Sequence, residues 1–232
     1  MNSLLLEIYR RLYRRYGPQG WWPGDGPLDV VIGAILTQAA AWSNVEAAIR
    51  ELKRAGCWSL EEISQRPEAE LAEIIRPSGY FNAKARKLKA FASHIAQHYH
   101  GNLAAFLSRE TDELRVELLS IHGIGPETAD DILLYAAAKP SFVIDAYTRL
   151  ILQRLGIAPA GTGRGDSLSR PRYAGYQALF HDNLPPDAPL FNEYHALLDR
   201  HAKETCAKVP RCPGCCLQDL CATGRAYDGG GP

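Results

Sequence analysis

The sequence predicts an all-α protein made of many short helices that cross one another. Apolar residues recur at three- and four-residue spacing along most of the 232 positions, which is the period of a helix with one buried face. No segment shows the alternation of apolar and polar residues that is typical of a half-buried strand. Glycine and proline gather in short connections, and tight connections between short helices favour an orthogonal array over a long parallel bundle.

The helical spacing divides the chain into successive segments. Glycines and prolines break the pattern between Gly17 and Pro27, and a second loop rich in glycine, serine and proline runs from Gly156 to Arg170. The predicted helices are 3–16, 28–38, 43–55, 59–65, 68–75, 82–99, 102–108, 111–121, 126–138, 146–155, 171–181 and 188–204.

Composition sets limits on location and on partners. No run approaches the roughly 20 apolar residues of a membrane span, and the basic residues near the N-terminus follow the short apolar stretch, the reverse of a signal peptide. A soluble cytoplasmic protein is therefore expected. The 26 acidic and 26 basic residues cancel, so a nucleic-acid partner would have to be held by local patches or by backbone dipoles.

Five of the six cysteines lie within sixteen residues near the C-terminus. In a chain without a secretory signal, such a group indicates metal binding more than disulfides. Cys57, beside Trp58, is predicted to be a buried apolar residue. The clustered cysteines are Cys206, Cys212, Cys215, Cys216 and Cys221.

Two helical patterns, DELRVELLSI and PETADDILLYAAA, are joined only by the residues His122, Gly123, Ile124 and Gly125. The two glycines can adopt positive φ at little steric cost, and the proline that follows suits the first position of the second helix. Such a turn presents backbone N–H groups that can bind a phosphate without a basic side chain. The alternative is an ordinary αα-corner in which the glycines serve only close packing.

Three separated elements, in this order, resemble the endonuclease III superfamily of helix-hairpin-helix DNA glycosylases. The longest is LLSIHGIGPETADDILLYAAAKPSFVIDAYTR, from Leu118 to Arg149; VIGAILTQ precedes it and the cysteine group follows. Together they span most of the chain. The resemblance implies two helical lobes, residues 20–134 with the hairpin and residues 1–19 plus 135–232 with the cysteines. It also implies a monomer that binds double-stranded DNA containing a damaged base, in the cytoplasm at the nucleoid, with the nucleotide entering between the lobes.

Asp145 is identified by this resemblance as the catalytic carboxylate. It precedes the helix AYTRLILQRLG and is a natural N-cap, a position where the helix dipole and backbone N–H groups keep a carboxylate ionised. An ionised carboxylate there can stabilise an oxocarbenium-like sugar or orient a water. Glu127 stands where bifunctional members carry the lysine that forms a Schiff base, which implies a monofunctional enzyme. Lys139 is the alternative amine, and Glu127 has the simpler role of a favourable first-turn charge.

Gln38 matches the family's intercalating glutamine, although a glutamine at a helix end is often only a solvated cap. Trp21, Trp22 and Pro23, with Trp42 beyond the glutamine, resemble the 3-methyladenine branch of the superfamily. Their rings either anchor the loop or stack on the extruded base, where a cationic alkylated purine would gain roughly 0.5–2 kcal/mol. Sister branches act on uracil, mismatched thymine or oxidised bases.

Cys206, Cys212, Cys215 and Cys221 resemble the family's four ligands to a 4Fe–4S cluster. Their gaps are five, two and five residues, so the first gap is one residue short of the usual six. Four thiolates also suit zinc, and Cys216 is the alternative to Cys215. Nearby cations, Lys203, Lys208 and Arg211, are candidates for phosphate contacts. A second basic run, Lys84, Arg86, Lys87 and Lys89, is interpreted mainly as a solvated face. An iron–sulfur module that binds damage without excising a base is the alternative of another class.

Overall fold

The structure, a computed structural model, describes residues 1–157, 159 and 170–227. All regular elements in these ranges are helical and none is a strand, which confirms the all-α prediction. The predicted loop from Gly156 to Arg170 lies largely outside the described residues. No helix in the described ranges is long and apolar enough to cross a membrane.

The helices follow the predicted segments closely, with short additions. A 3₁₀ turn at Arg76–Ser78 and the final short helix have no counterpart among the predictions. The α-helices are α1 (Asn2–Tyr16), α2 (Pro27–Leu36), α3 (Trp42–Arg54), α4 (Leu60–Gln65), α5 (Glu68–Ile74), α6 (Phe81–Tyr99), α7 (Leu103–Leu107), α8 (Thr111–Ser120), α9 (Pro126–Asp131), α10 (Ala146–Leu155), α11 (Arg170–His181), α12 (Ala188–Glu204) and α13 (Ala222–Arg225).

Two compact units divide the chain. The hairpin unit is Trp22–Lys139, and the aspartate unit combines Met1–Trp21 with Pro140–Pro232. Helices α2 to α9 belong to the hairpin unit and form its continuous apolar core. Helix α2 is its central element, because every residue from Asp29 to Leu36 is buried. Cys57 lies in this core, as predicted.

One predicted helix, 126–138, is wrong in its detail. Helix α9 ends at Asp131 and is continued by a single π-helical turn, Ile132–Ala136. Such turns widen the helix by one residue and redirect the side chains that follow. A buried ion pair holds α9 against α8, because the guanidinium of Arg115 donates two hydrogen bonds, of 2.7 and 3.0 Å, to the fully buried carboxylate of Asp130.

In the aspartate unit, α12 packs against both α1 and α10. Leu5, Ile8 and Leu12 of α1 are almost fully buried, and so is the short apolar run Phe142–Ile144 before α10. The Asp145 side chain caps α10 as predicted, accepting a 2.6 Å hydrogen bond from the backbone N–H of Thr148. This cap fixes where the chain leaves the buried core and enters the helix.

Candidate active site

The hairpin turn connects α8 to α9 within the hairpin unit. Gly123 has φ 83°, whereas Gly125 is extended at φ −94° and ψ 177°, so only the first glycine uses the left-handed region. Pro126 occupies the first helical turn as predicted. His122 is exposed, but the side chain of Ile124 is buried and its N–H donates to the carbonyl of Ile121 at 3.1 Å. The Ile124 side chain therefore packs in the core, and its N–H stabilises the turn.

Gln38 lies just beyond α2 and is tied to the hairpin through its carboxamide. Its Nε2 donates to the hydroxyl of Thr128 at 2.9 Å and to the carbonyl of Gly123 at 3.3 Å. Its Oε1 accepts a hydrogen bond from the ammonium of Lys87. The alkyl chain of the same lysine lies over Gly123, where an added Cβ would clash with the lysine Cγ. Gln38, the turn and Lys87 thus form one packed group.

The basic run on α6 is not a solvated face, contrary to the sequence interpretation. Lys84 is 1% exposed and donates to the carbonyls of Leu36 and Ser78, and its burial lowers its pKa to about 8. Lys89 donates to backbone carbonyls near the end of α4. In this run Arg86 is the exposed member. Helical periodicity places all four cations on α6, but it does not reveal the hydrogen-bond acceptors that the fold brings to the three lysines.

Aromatic rings gather in the hairpin unit around Trp22. The Trp22 and Trp42 rings meet edge to face at 5.4 Å, and the Tyr135 ring lies 5.3 Å from Trp22. Gly33 permits this packing, since a Cβ there would lie 2.9 Å from the Trp22 ring. Tyr135 escaped the sequence analysis because the π turn, which an apolar pattern does not reveal, sets its direction. Pro23 and Trp42 also line one surface pocket.

Trp21 has different neighbours from Trp22, although the two were predicted to serve one pocket. Its ring lies 5.9 Å from that of His195 in a stacked arrangement within the aspartate unit. The ammonium of Lys203 lies 5.9 Å from the ring centroids of both Trp21 and Tyr147. Glu127, another predicted pocket residue, is an exposed first-turn residue of α9.

The carboxylate of Asp145 is largely buried and has a histidine beside it. His195 Nε2 lies 3.8 Å from Asp145 Oδ1, an electrostatic contact longer than a hydrogen bond. Burial by itself would raise the pKa of Asp145, but His195 and the Thr148 N–H outweigh it and hold the pKa below its ordinary value. The group is therefore ionised at neutral pH, the state required for stabilising positive charge on a sugar.

Helix α12 directs three ionisable residues along one face at intervals of four. His195 is followed by Asp199, which pairs with Lys203 through a 2.7 Å contact. Burial, with a smaller effect of the nearby Asp145, raises the pKa of Asp199. His195 and Asp199 were not predicted from the sequence. Their four-residue spacing with Lys203 was the available signal, but only the fold brings that face to Asp145.

Four cysteines line one cavity of the aspartate unit, and these are the four that were predicted as ligands, namely Cys206, Cys212, Cys215 and Cys221. Cys216 instead lines a surface groove with Arg11, Arg14 and Arg15. Arg154 donates to the carbonyl of Cys206 at 2.7 Å and approaches its Sγ at 3.1 Å. Within the described ranges, no three His, Cys, Asp or Glu side chains are arranged to hold a metal ion.

The helical fold, the packed group at the hairpin and the group around Asp145 together define a class of DNA repair proteins. Residues 32–165 match the HhH-GPD superfamily base excision DNA repair protein, and the chain belongs to this superfamily. The resemblance found in the sequence is therefore confirmed, and the chain is a DNA glycosylase of base excision repair.

Three similar proteins illustrate the range of the superfamily. A protein of Methanocaldococcus jannaschii with the provisional name DNA repair glycosylase is 40% identical over 221 residues, or 94% of this chain and 96% of that one. Endonuclease III of Sulfolobus acidocaldarius is 28% identical over 193 residues, covering 82% and 79%. The crystal structure of the H. pylori 3-methyladenine DNA glycosylase bound to 1,N6-ethenoadenine superposes with a TM-score of 0.67 at 27% identity, covering 87% and 96%.

Proposed function

We propose that the protein is a monofunctional glycosylase that hydrolyses the bond between deoxyribose and an alkylated purine such as N3-methyladenine, with Asp145 as the catalytic carboxylate. The observation that carries the proposal is the environment of Asp145. A capped, mostly buried carboxylate beside His195 has its pKa lowered, so it remains charged where positive charge would develop.

The chemistry follows from this charge. When the bond to the base breaks, its electrons leave with the base and the sugar becomes oxocarbenium-like, which an anion stabilises. A water then adds to the anomeric carbon and loses a proton. An alkylated purine carries a positive charge and departs neutral, so it needs little help from a general acid. By resemblance to the bifunctional members, Glu127 takes the position of the Schiff-base lysine, and a glutamate cannot act as an amine, which supports hydrolysis without strand cleavage.

Aromatic side chains support the choice of a cationic base. Trp22, Trp42 and Tyr135 form an edge-to-face and tilted group in one unit, and Trp21 stacks in the other. A cationic purine on such a face gains roughly 0.5–2 kcal/mol over a neutral one. The similarity to a protein named 3-methyladenine DNA glycosylase agrees with an alkylated adenine as the substrate.

For DNA we assign the hairpin, His122 to Gly125, to the phosphate backbone and Gln38 to the space left by the extruded base. The backbone of the turn and the exposed His122 are available for this contact, whereas the Ile124 side chain is not. The hairpin unit would therefore bind the duplex, and the aspartate unit would supply the chemistry.

Four thiols lining one cavity fit a 4Fe–4S cluster by their number, their type and their exclusion of Cys216. Four thiolates also suit a single zinc ion, but these cysteines resemble the cluster ligands of the endonuclease III superfamily. We therefore prefer the cluster to zinc. When bound, it would crosslink the C-terminal loop, and Arg154 would hold that loop to α10.

A panel of duplexes tests the proposal, each containing one N3-methyladenine, uracil, mismatched thymine or oxidised base. We expect release of the methylated base and an abasic site that breaks only after alkali. Release of uracil or thymine alone would overturn the alkylpurine assignment. If wild type excises nothing while wild type and Asp145→Asn both bind damaged DNA normally, the non-catalytic damage-binding module is the better description.

A glycosylase with lyase activity is the second candidate, favoured by the 28% identity to an endonuclease III. Lys139 is the amine assigned to it from the sequence. Borohydride would then trap a covalent enzyme–DNA adduct, and Lys139→Gln would abolish the adduct. The monofunctional proposal predicts no adduct with either protein.

A further inference from the structure

His195 is buried and has a charged neighbour, which a histidine that only fills space in the core does not need. Its side chain is 6% exposed, and its Nε2 faces Asp145 Oδ1 at 3.8 Å. At this burial an interaction between charged or polar groups is poorly screened by solvent and salt. Nothing in the sequence motifs pointed to this residue.

Two aromatic rings set the plane of the imidazole. Trp21 stacks on it at 5.9 Å and 30°, and Phe142 meets it edge-on at 6.4 Å and 85°. The two rings come from different segments of the aspartate unit, one before α2 and one in the buried run before α10. They restrict rotation of the ring and keep the same nitrogen toward Asp145.

We propose that His195 is a positioning residue for the glycosylase reaction, holding the Asp145 carboxylate in one orientation and in its ionised form. The inference rests on the proposed role of Asp145. His195 and the Thr148 N–H both face Oδ1, so we assign Oδ2 to the sugar or the attacking water. Trp21 then acts partly through His195, which gives the first tryptophan of the W-W pair a role distinct from the second.

The other charges around Asp145 agree with this role. Asp199, one turn further along α12, opposes ionisation of Asp145, while Lys203 pairs with Asp199 and offsets that repulsion. His195 thus makes the largest contribution against burial of the Asp145 carboxylate, and the backbone and side chain of Thr148 make smaller ones. Loss of His195 should leave burial and Asp199 in place, and both raise the pKa of Asp145.

The test measures the Asp145 carboxyl group itself, so it does not depend on knowing the lesion. In protein labelled with ¹³C at the aspartate carboxyl carbons, the Asp145→Asn spectrum identifies the Asp145 resonance, and its titration is followed in wild type, His195→Leu and His195→Gln. We expect the titration midpoint to rise by about one pH unit or more in His195→Leu. It should rise less in His195→Gln, whose amide keeps a polar N–H group near Oδ1.

Excision kinetics provide the second readout. Under single-turnover conditions with saturating enzyme, the acid limb of the rate should move by the same amount in His195→Leu, giving about a tenfold loss per unit at acidic pH and recovery at higher pH. His98→Gln, an exposed histidine of α6, is the control for histidine replacement. A role in packing alone would lower stability and leave the midpoint unmoved.

An unmoved Asp145 midpoint in folded His195→Leu would overturn the inference, as would an unmoved midpoint in folded His195→Ala where the leucine variant does not fold. These outcomes are separate from the proposed function. If wild type excises no base from the panel, the proposed function fails, and the carboxyl titration still decides whether His195 controls Asp145.

Discussion

Lys87 holds Gln38 by donating a hydrogen bond to its side-chain carbonyl. The same lysine lies across the hairpin turn, and the glutamine amide donates back to the turn. Lys87 therefore couples Gln38, which we assign to the space in the DNA stack, to the hairpin turn, which we assign to phosphate binding. A hydrogen bond from a charged donor contributes about 1.5–3 kcal/mol when its partner is partly buried.

Replacing Lys87 by methionine should keep the alkyl packing over the turn and release the Gln38 carbonyl. We expect the affinity for a duplex containing an abasic-site analogue to fall on the order of tenfold, because Gln38 loses its fixed orientation. Fluorescence anisotropy at fixed salt measures this. Arg86→Met, on the exposed face of the same helix, should change affinity far less. Equal effects of the two variants would show that Lys87 contributes only charge.

The two hairpin glycines should differ sharply in their tolerance of alanine. At Gly123, with φ 83°, a Cβ would clash with the Lys87 chain, whereas a Cβ at Gly125 would have no atom within 4 Å and φ there is negative. Gly123→Ala should lower the free energy of unfolding by at least about 1–2 kcal/mol, the cost of the left-handed conformation. Gly125→Ala should be close to neutral. Urea unfolding measures both, and similar losses would contradict the turn geometry.

Glu117 should make the stability of the hairpin unit dependent on pH. Burial favours its neutral form, but hydrogen bonds from Tyr99 and His94 and the charge of Arg109 prevail and lower its pKa. Because the folded-state pKa lies below the unfolded value, this contribution is complete above about pH 4.3 and is lost as the pH falls through the folded value.

Glu117→Gln should therefore lower the free energy of unfolding by about 1.5–3 kcal/mol at neutral pH, and the difference should shrink below about pH 4. Urea unfolding across a pH series measures this difference. The control is Glu113→Gln, an exposed partner of Arg109 whose loss should cost at most about 0.5 kcal/mol. A loss for Glu117→Gln that is the same at every pH would contradict the assigned cause.

The adjacent residues Cys215 and Cys216 should differ in their ability to bind metal. Cys215 lines the cavity shared with the other predicted ligands, and Cys216 lines the arginine groove. After anaerobic purification, Cys215→Ser should lose iron and visible absorption while Cys216→Ser retains both. Metal analysis also distinguishes iron from zinc. Retention in Cys215→Ser with loss in Cys216→Ser would exchange the two assignments, and an absence of iron from wild type would contradict the cluster.

The sequence was informative where one local property decides the structure. Helical periodicity, the Pro126 start of α9 and the Asp145 cap were all predictable because each depends on neighbours within a few residues. The partners of Lys84 and Lys87 were not, since they come from segments distant in the chain. His195 likewise resembles an ordinary residue of an amphipathic helix until α12 is packed beside α10.

Trp21 and Trp22 also show that the sequence does not reveal contacts between distant segments. Adjacent residues were expected to share a function, but the Trp21 ring stacks on His195 whereas the Trp22 ring packs against Trp42 and Tyr135, and the unit boundary falls between the two tryptophans. The π turn that orients Tyr135 leaves no clear mark in the apolar pattern, because its residues are buried whichever helix type they adopt. Local patterns therefore located the elements, and long-range packing assembled the site.

The most direct test of the central claim compares wild type with Asp145→Asn in single-turnover release of N3-methyladenine from alkylated duplex DNA. Asparagine is as good an N-cap as aspartate, so the variant should fold and bind DNA normally while lacking the negative charge. We expect release by wild type and a rate at least about 100-fold lower in the variant. Release by Asp145→Asn at the wild-type rate would contradict the central claim.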